Sequence, residues 1–449
     1  MTVADQAEHV NGVGFETEPT PCNFIDSAGR RVDSTVETGA STSSSCTFSV
    51  CPSWLLKSRE MDAGEESYRP AAFTLKLEKL ASNLLTADDV SLVVDWLREE
   101  SSLTDENGED YMDFEGMWRV RERCRDLWGG ELDRCFLATT FLKLQAFGGA
   151  VPVEVAGDYI QRFVQMKKLN IELCYHDKFA NGHLTGKALE DFLEEIQVFE
   201  GQDTDTMMLF RARQVAAAKF VFHHGRNGIM RTVDLLVSPV MEELQRVRGA
   251  LEKDGFDDPD GNNWFSRKSI ETIIDAFREL DSRGHRRLVV GDLLAFQGAK
   301  FTPLFLHRLF EERIVKTTPR STNTAGREMD LEKFAEFVIA WRDKGAPAAI
   351  RYFFPIFDIE KKGYLTHVDI HMFFREVFDV WVECQQEGSE DPNMCENVVN
   401  EIFEMVNPKV FGKMYRQDLE RSGKAANVFG MLADMWEFWR HENGEVELS

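Results

Sequence analysis

Apolar residues along this chain recur every three or four positions far more often than every second one. Thr86-Ala-Asp-Asp89 offers a capping-box start, and Val90, Val93, Val94 and Leu97 then fall on one helical face. Similar stripes run through 112–128, 136–147, 206–222, 233–251, 269–280, 331–341 and 428–439, and strand-like alternation is almost absent. The pattern predicts an all-α chain. Residues 1–68 lack it: rich in Gly, Ser, Thr and acids, they read as a disordered tail. The polar, turn-rich stretch 255–263 (GFDDPDGNN) predicts a linker between an N-terminal half, 69–254, and a C-terminal half, 264–441, with a short tail at 442–449. A second flexible stretch covers 317–327.

The junctions between these helices repeat one twelve-position pattern, with Gly at position 6, an apolar residue at 8, an acid at 12 and an apolar residue at 13. That is EF-hand spacing. Loop 358–369 carries Gly363, Leu365 and Asp369, then Ile370; loop 407–418 carries Gly412, Met414 and Asp418, then Leu419; loop 223–234 carries Gly228, Met230 and Asp234, then Leu235. In loop 281–292 Arg286 replaces the glycine, and in loop 177–188 Ala188 replaces the acid. Met112-Asp-Phe-Glu-Gly-Met117 and Met329-Asp-Leu-Glu-Lys-Phe334 read as second loops of pairs that have lost their first half. The expected architecture is an array of degenerate EF-hand helix-loop-helix pairs behind the tail.

Each position has a separable physical role. Glycine at 6 permits the positive φ of a sharp turn, the apolar residue at 8 joins two loops through a β-bridge, and residue 13 leads the exiting helix into the core. Calcium needs, in addition, oxygens at 1, 3, 5 and 9 and a bidentate Glu at 12. The chain keeps the first set and has largely dropped the second. The best remaining candidate is loop 358–369, with Asp358, Glu360, Tyr364 and Asp369 as ligands, although Lys362 brings a cation to position 5 and Pro355 sits in the incoming helix. No cofactor is required by the reading, and calcium is the one the spacing admits. Asp258-Pro-Asp260-Gly-Asn262-Asn263 reads as an acidic linker rather than a second site.

Composition narrows the class of protein. With 43% hydrophobic residues, 34 Phe and 9 Trp among 449, the chain is too apolar to be disordered, and no apolar run approaches the ~20 residues of a membrane helix. Acids outnumber bases 77 to 52, a net charge of −25, which excludes a basic nucleic-acid surface. Residues 1–11 show no secretory pattern, and the eight cysteines form no Cys-x-x-Cys pair, so they are expected as reduced thiols in a cytosolic or nuclear protein. Catalytic motifs are missing: there is no Walker loop, kinase set, nucleophile elbow, phosphatase Cys-x5-Arg or metallophosphatase cluster. His367 and His371 have i, i+4 zinc spacing without a third ligand, and His223-His224 is a weaker pair. The chain reads as a binding module, not an enzyme, with Arg351, Tyr352, Phe353, Trp436 and Trp439 as partner anchors or, more simply, core. On these residues alone a free calcium-sensing adaptor is the alternative.

Several stretches carry a more specific likeness. Asn263-Trp264-Phe265-Ser266, 328–338 (EMDLEKFAEFV), 348–365 (AAIRYFFPIFDIEKKGYL), Phe373-Phe374-Arg375 and 400–409 (NEIFEMVNPK) closely resemble the B-double-prime regulatory subunits of protein phosphatase 2A, and within them the gamma branch with its Tonneau/FASS-like members. The likeness spans about 110–441. It implies a non-catalytic subunit that docks on the helical-repeat scaffold subunit and the catalytic subunit and selects phosphoprotein substrates, without nucleic acid or membrane. It also implies a cytoplasmic place at the cytoskeleton, centrosome or basal body. Two departures stand out: only Tyr68-Arg-Pro70 remains of a Pro-Arg-Phe-Tyr-Tyr-like segment, and Arg283, His285 and Arg286 fill the loop where gamma members look calcium-competent, so calcium regulation is not carried over.

Overall fold

The computed structural model describes residues 69–104, 108–146, 149–199, 205–226, 228–251, 261–296, 298–314, 327–384 and 393–443. The tail at 1–68, most of the linker at 255–263 and nearly all of the second flexible stretch lie outside them. Among the described residues helices dominate, and the strands are two or three residues long. The all-α reading of the periodicity holds for these residues. Thr86 forms the capping box the sequence offered: its hydroxyl accepts from the Asp89 N–H, and the Asp89 carboxylate accepts from the Thr86 N–H at 2.8 Å.

The short strands come in antiparallel sets, and each set joins two helix-loop-helix junctions. His183–Thr185 pairs with Ile229–Arg231, and Tyr364–Leu365 with Met414–Tyr415. Leu288 and Met329 exchange backbone hydrogen bonds of 2.9 and 2.8 Å. Met112 lies opposite Val151 in a three-stranded set with Leu103–Thr104. Two expectations are corrected here. The junction at Met329 has not lost its first half: its partner is loop 281–292. The junction at Met112 has a partner as well, the Val151–Pro152 entry to the helix Val153–Tyr175. That partner carries no twelve-residue signature, so spacing alone could not find it.

Two helical stripes are also interrupted. The stripe 233–251 splits into Thr232–Leu236 and Pro239–Leu251, since Pro239 has no N–H for a continuing helix and opens the second one instead. The stripe 428–439 splits at Asp434 into Ala425–Ala433 and Met435–Glu442. There the backbone leaves the helix to bridge Phe301, and the Asp434 carboxylate accepts from the N–H groups of Lys300 (2.6 Å) and Trp436 (3.0 Å).

Buried apolar side chains form two clusters. One holds Leu85, Val93, Leu97, Met117, Val120, Phe136 and their neighbours up to Val164; the other gathers described residues from Leu169 to Phe438 into one cluster. The helix Val153–Tyr175 serves both, its first turns in one core and its last in the other. The halves drawn on either side of 255–263 therefore share the second core. Its centre is aromatic: Phe305, Phe353, Phe357 and Phe429 stack at 5.4–6.3 Å, with Phe301, Phe337 and Trp341 beside them. Each such ring removed from water contributes about 2–3 kcal/mol.

Pro355 lies inside the helix Pro347–Phe357 without ending it. A proline there leaves the carbonyl of residue 351 without its helical donor. Arg313 fills that gap: its Nη2 donates to the carbonyls of Arg351 (2.9 Å) and Tyr352, with the guanidinium 4.6 Å from the Tyr352 ring centre. Arg308, itself buried, donates to the carbonyls of Pro355 and Ile356 at the helix end. Replacing Arg313 by Met should cost about 2 kcal/mol, the range for a charged hydrogen bond. In a Pro355→Ala background, where the backbone satisfies residue 351 itself, the cost should fall by half or more. Urea unfolding of the four proteins checks this as a double-mutant cycle.

Candidate functional site

The loop pairs are the part of the fold that could hold an ion, and their geometry follows one scheme. The position-1 aspartates turn the chain: Asp358 accepts the N–H of Lys362 (2.9 Å) and Gly363 (2.6 Å), Asp281 those of His285 and Arg286, and Asp177 that of Gly182. Position 6 has φ near +70 to +80° at Gly182, Gly228, Gly363 and Gly412, and +58° at Arg286. The residues at 8 and 13 are buried in all five loops.

The acid at position 12 has a role that the metal reading hides. Asp369 accepts the N–H of Thr366 at 2.8 Å and its hydroxyl at 2.7 Å; Asp292 accepts the N–H of Val289, and Asp418 that of Tyr415. In loops 358–369 and 407–418 positions 9 and 12 are N-cap and N3 of the exiting helix, so the acid caps the helix whether or not an ion is present, whereas Asp292 is itself the first residue of a short 3-10 turn.

The carboxylates at 12 are met by cations of the chain itself. The Lys362 ammonium lies 3.1 and 2.9 Å from the two Asp369 oxygens and 3.2 Å from Glu360. Arg283 reaches Asp292 at 2.9 Å, Arg421 reaches Asp418 at 3.1 Å, and Arg231 lies 3.8 Å from Asp234. Asp369 raises the pKa of Lys362 above its ordinary value, with Glu360 adding to it, which keeps the ammonium charged.

The four ligands expected for calcium have these partners in the structure. Asp358 is bonded to backbone, Asp369 to Lys362 and Thr366, and Glu360 projects into solvent with its carboxylate toward the same lysine; Tyr364 lies in the ladder opposite Tyr415, their rings 5.6 Å apart. The Lys362 ammonium stands in front of both Asp369 oxygens, where residue 12 of an EF-hand loop binds its ion bidentately. Among the described residues no group of three or more His, Cys, Asp or Glu is placed to hold a metal ion. His367 stacks on Phe403 at 3.8 Å rather than facing His371. Asp258-Pro-Asp260 of the acidic linker lies outside the described residues.

Of the partner anchors, Tyr352 and Phe353 are core, whereas Arg351 and Trp436 stay at the surface. Cys124, Cys135 and Cys174 are buried, and burial pushes their thiols up to about 12, in line with a role as small hydrophobes. Arg283 was visible as a misfit at a ligand position; its pairing with Asp292 was not.

Fold and site together define an EF-hand-like binding array whose loops carry their own cations. No protein-family model matches the sequence. The TON2 protein of Arabidopsis thaliana, a probable B-double-prime regulatory subunit of protein phosphatase 2A, is 28% identical over 399 residues, 88% of this chain and 82% of that one. The human B-double-prime gamma regulatory subunit of the same phosphatase is 28% identical over 347 residues, 76% of this chain and 72% of its own. A chain of a solved PP2A PR70 holoenzyme superposes with a TM-score of 0.48 at 18% identity, covering 58% of this chain and 93% of that chain. The chain is a homologue of the B-double-prime regulatory subunits of protein phosphatase 2A.

Two outcomes are expected of the loops. Arg286 holds a left-handed conformation that costs a non-glycine residue about 1 kcal/mol, so Arg286→Gly should raise stability by up to that amount in urea unfolding. His223, at position 1 of its loop, is held neutral by burial, which pushes its pKa down to about 4, with Lys219, His224 and Arg351 repelling the charged form. Its unfolded pKa is near 6.5, so stability falls as pH drops from about 6.5 toward 4. In His223→Leu the fall in Tm between pH 7 and 5 should be smaller than in wild type.

Proposed function

We propose that this chain is a non-catalytic regulatory subunit of a protein phosphatase 2A heterotrimer. The supporting observation is the likeness to named B-double-prime regulatory subunits across 88% and 76% of the chain. In this role the array binds the helical-repeat scaffold subunit and the catalytic subunit and selects phosphoprotein substrates, while the chemistry stays with the catalytic subunit. A surface of helices and short ladders without a catalytic motif suits such a task, since function resides in what the surface binds. The gamma-branch likeness favours a cytoplasmic site of action at the cytoskeleton, centrosome or basal body. No helix among the described residues is long and apolar enough to cross a membrane.

Affinity purification of the tagged full chain from cells of its own organism tests the reading. Scaffold and catalytic subunits should co-purify in near-equal amounts, with phosphatase activity only in the assembled fraction. A chain recovered without either subunit, or one that hydrolyses phosphoprotein on its own, contradicts it.

A further inference from the structure

We propose that Lys362 is the resident cation of loop 358–369, holding the loop in its turn without divalent metal and shutting that metal out. The inference does not rest on the phosphatase reading. Its basis is a pattern in four loops: wherever a carboxylate stands at position 12, a lysine or arginine of the same junction faces it, at 2.9 Å for Asp292 and Asp369, 3.1 Å for Asp418 and 3.8 Å for Asp234. These cations come from four different places, namely position 3 (Arg283), position 5 (Lys362), position 9 (Arg231) and the exiting helix (Arg421). Different sequence positions thus deliver charge to one structural point.

Loop 358–369 shows the consequence most clearly. Nζ of Lys362 lies almost equally far from both Asp369 oxygens, where a metal bound bidentately by residue 12 would sit. A calcium ion bonded to those oxygens at about 2.4 Å would fall within contact distance of the ammonium. Asp369 is buried, its side chain only 5% exposed, so its charge needs a partner in every state of the folded protein. Lys362 supplies it permanently and spans Glu360 at position 3 as well. A loop stabilised in this way has no calcium-bound state to switch to, which separates this array from a calcium sensor built on the same spacing.

Terbium luminescence and thermal unfolding of the purified full-length chain test the proposal, with Tyr364 in the loop as sensitiser. Wild type should show no saturable tyrosine-sensitised emission and the same Tm in EDTA as in about 1 mM calcium. Lys362→Asp should gain saturable emission that calcium competes away, at least about tenfold tighter than any wild-type binding. Lys362→Met should lower Tm with unchanged helical circular dichroism, and Lys362→Arg should restore it. The proposal is overturned if wild type shows saturable emission that Tyr364→Phe abolishes, if folded Lys362→Asp gains no site, or if Lys362→Met is as stable as wild type. Should Lys362→Asp fail to fold, the wild-type titration and the Met and Arg variants still decide.

Discussion

The structure depends on a two-residue contact repeated along the chain: the buried apolar residue at the middle of one loop lies against its counterpart in another. Leu184 meets Met230, Leu288 meets Met329, Leu365 meets Met414 and Met112 meets Val151, each pair joined by antiparallel backbone bonds and removed from water. A ladder this short contributes little through its hydrogen bonds alone. Its weight comes from geometry, because each pairing fixes how the flanking helices enter the core. Once the loops are tied, residue 13 of each exiting helix is carried inward, and the aromatic centre around Phe305, Phe353, Phe357 and Phe429 closes between them.

In an EF-hand the ion organises the loop, and removing it would leave several carboxylates facing one another. Here that repulsion is avoided in two ways. Most ligand positions have lost their acid, and the acids retained at position 12 meet a cation of the chain, those at 292, 369 and 418 also accepting the N–H three residues before them. The helix cap explains why an acid persists where no ion is required. A buried charge such as Asp369 would be strongly destabilising alone, and the Lys362 bond with the Thr366 contacts offsets the desolvation. The same logic of local repair appears at Pro355, where Arg313 satisfies the carbonyl that proline leaves open.

Much of the fold was legible because its local rules are strict. The Thr86 cap, the helical stripes and the glycines at position 6 follow from backbone chemistry that sequence displays directly. The breaks at Pro239 and Asp434 differ in kind. The first has a visible cause, while the second exists because segment 300–302 takes the Asp434 backbone and carboxylate away from the helix. Likewise Met329 looked solitary although loop 281–292 was recognised, because spacing along the chain does not show which loops pair. The site was read less well. Lys362 was seen as an obstacle to calcium, but a misfit at one position does not reveal that its ammonium reaches residue 12.

By itself the sequence determined the class of elements, the loop spacing, the turn and capping residues and the kinship carried by stretches such as 348–365, since each depends on neighbours within a few positions or on direct residue matches. Tertiary structure decided which loops pair, where the core divides along the helix Val153–Tyr175, and which cation answers which carboxylate. Those outcomes depend on groups brought within about 3 Å by folding, and the spacing of residues along the chain carries no record of that distance.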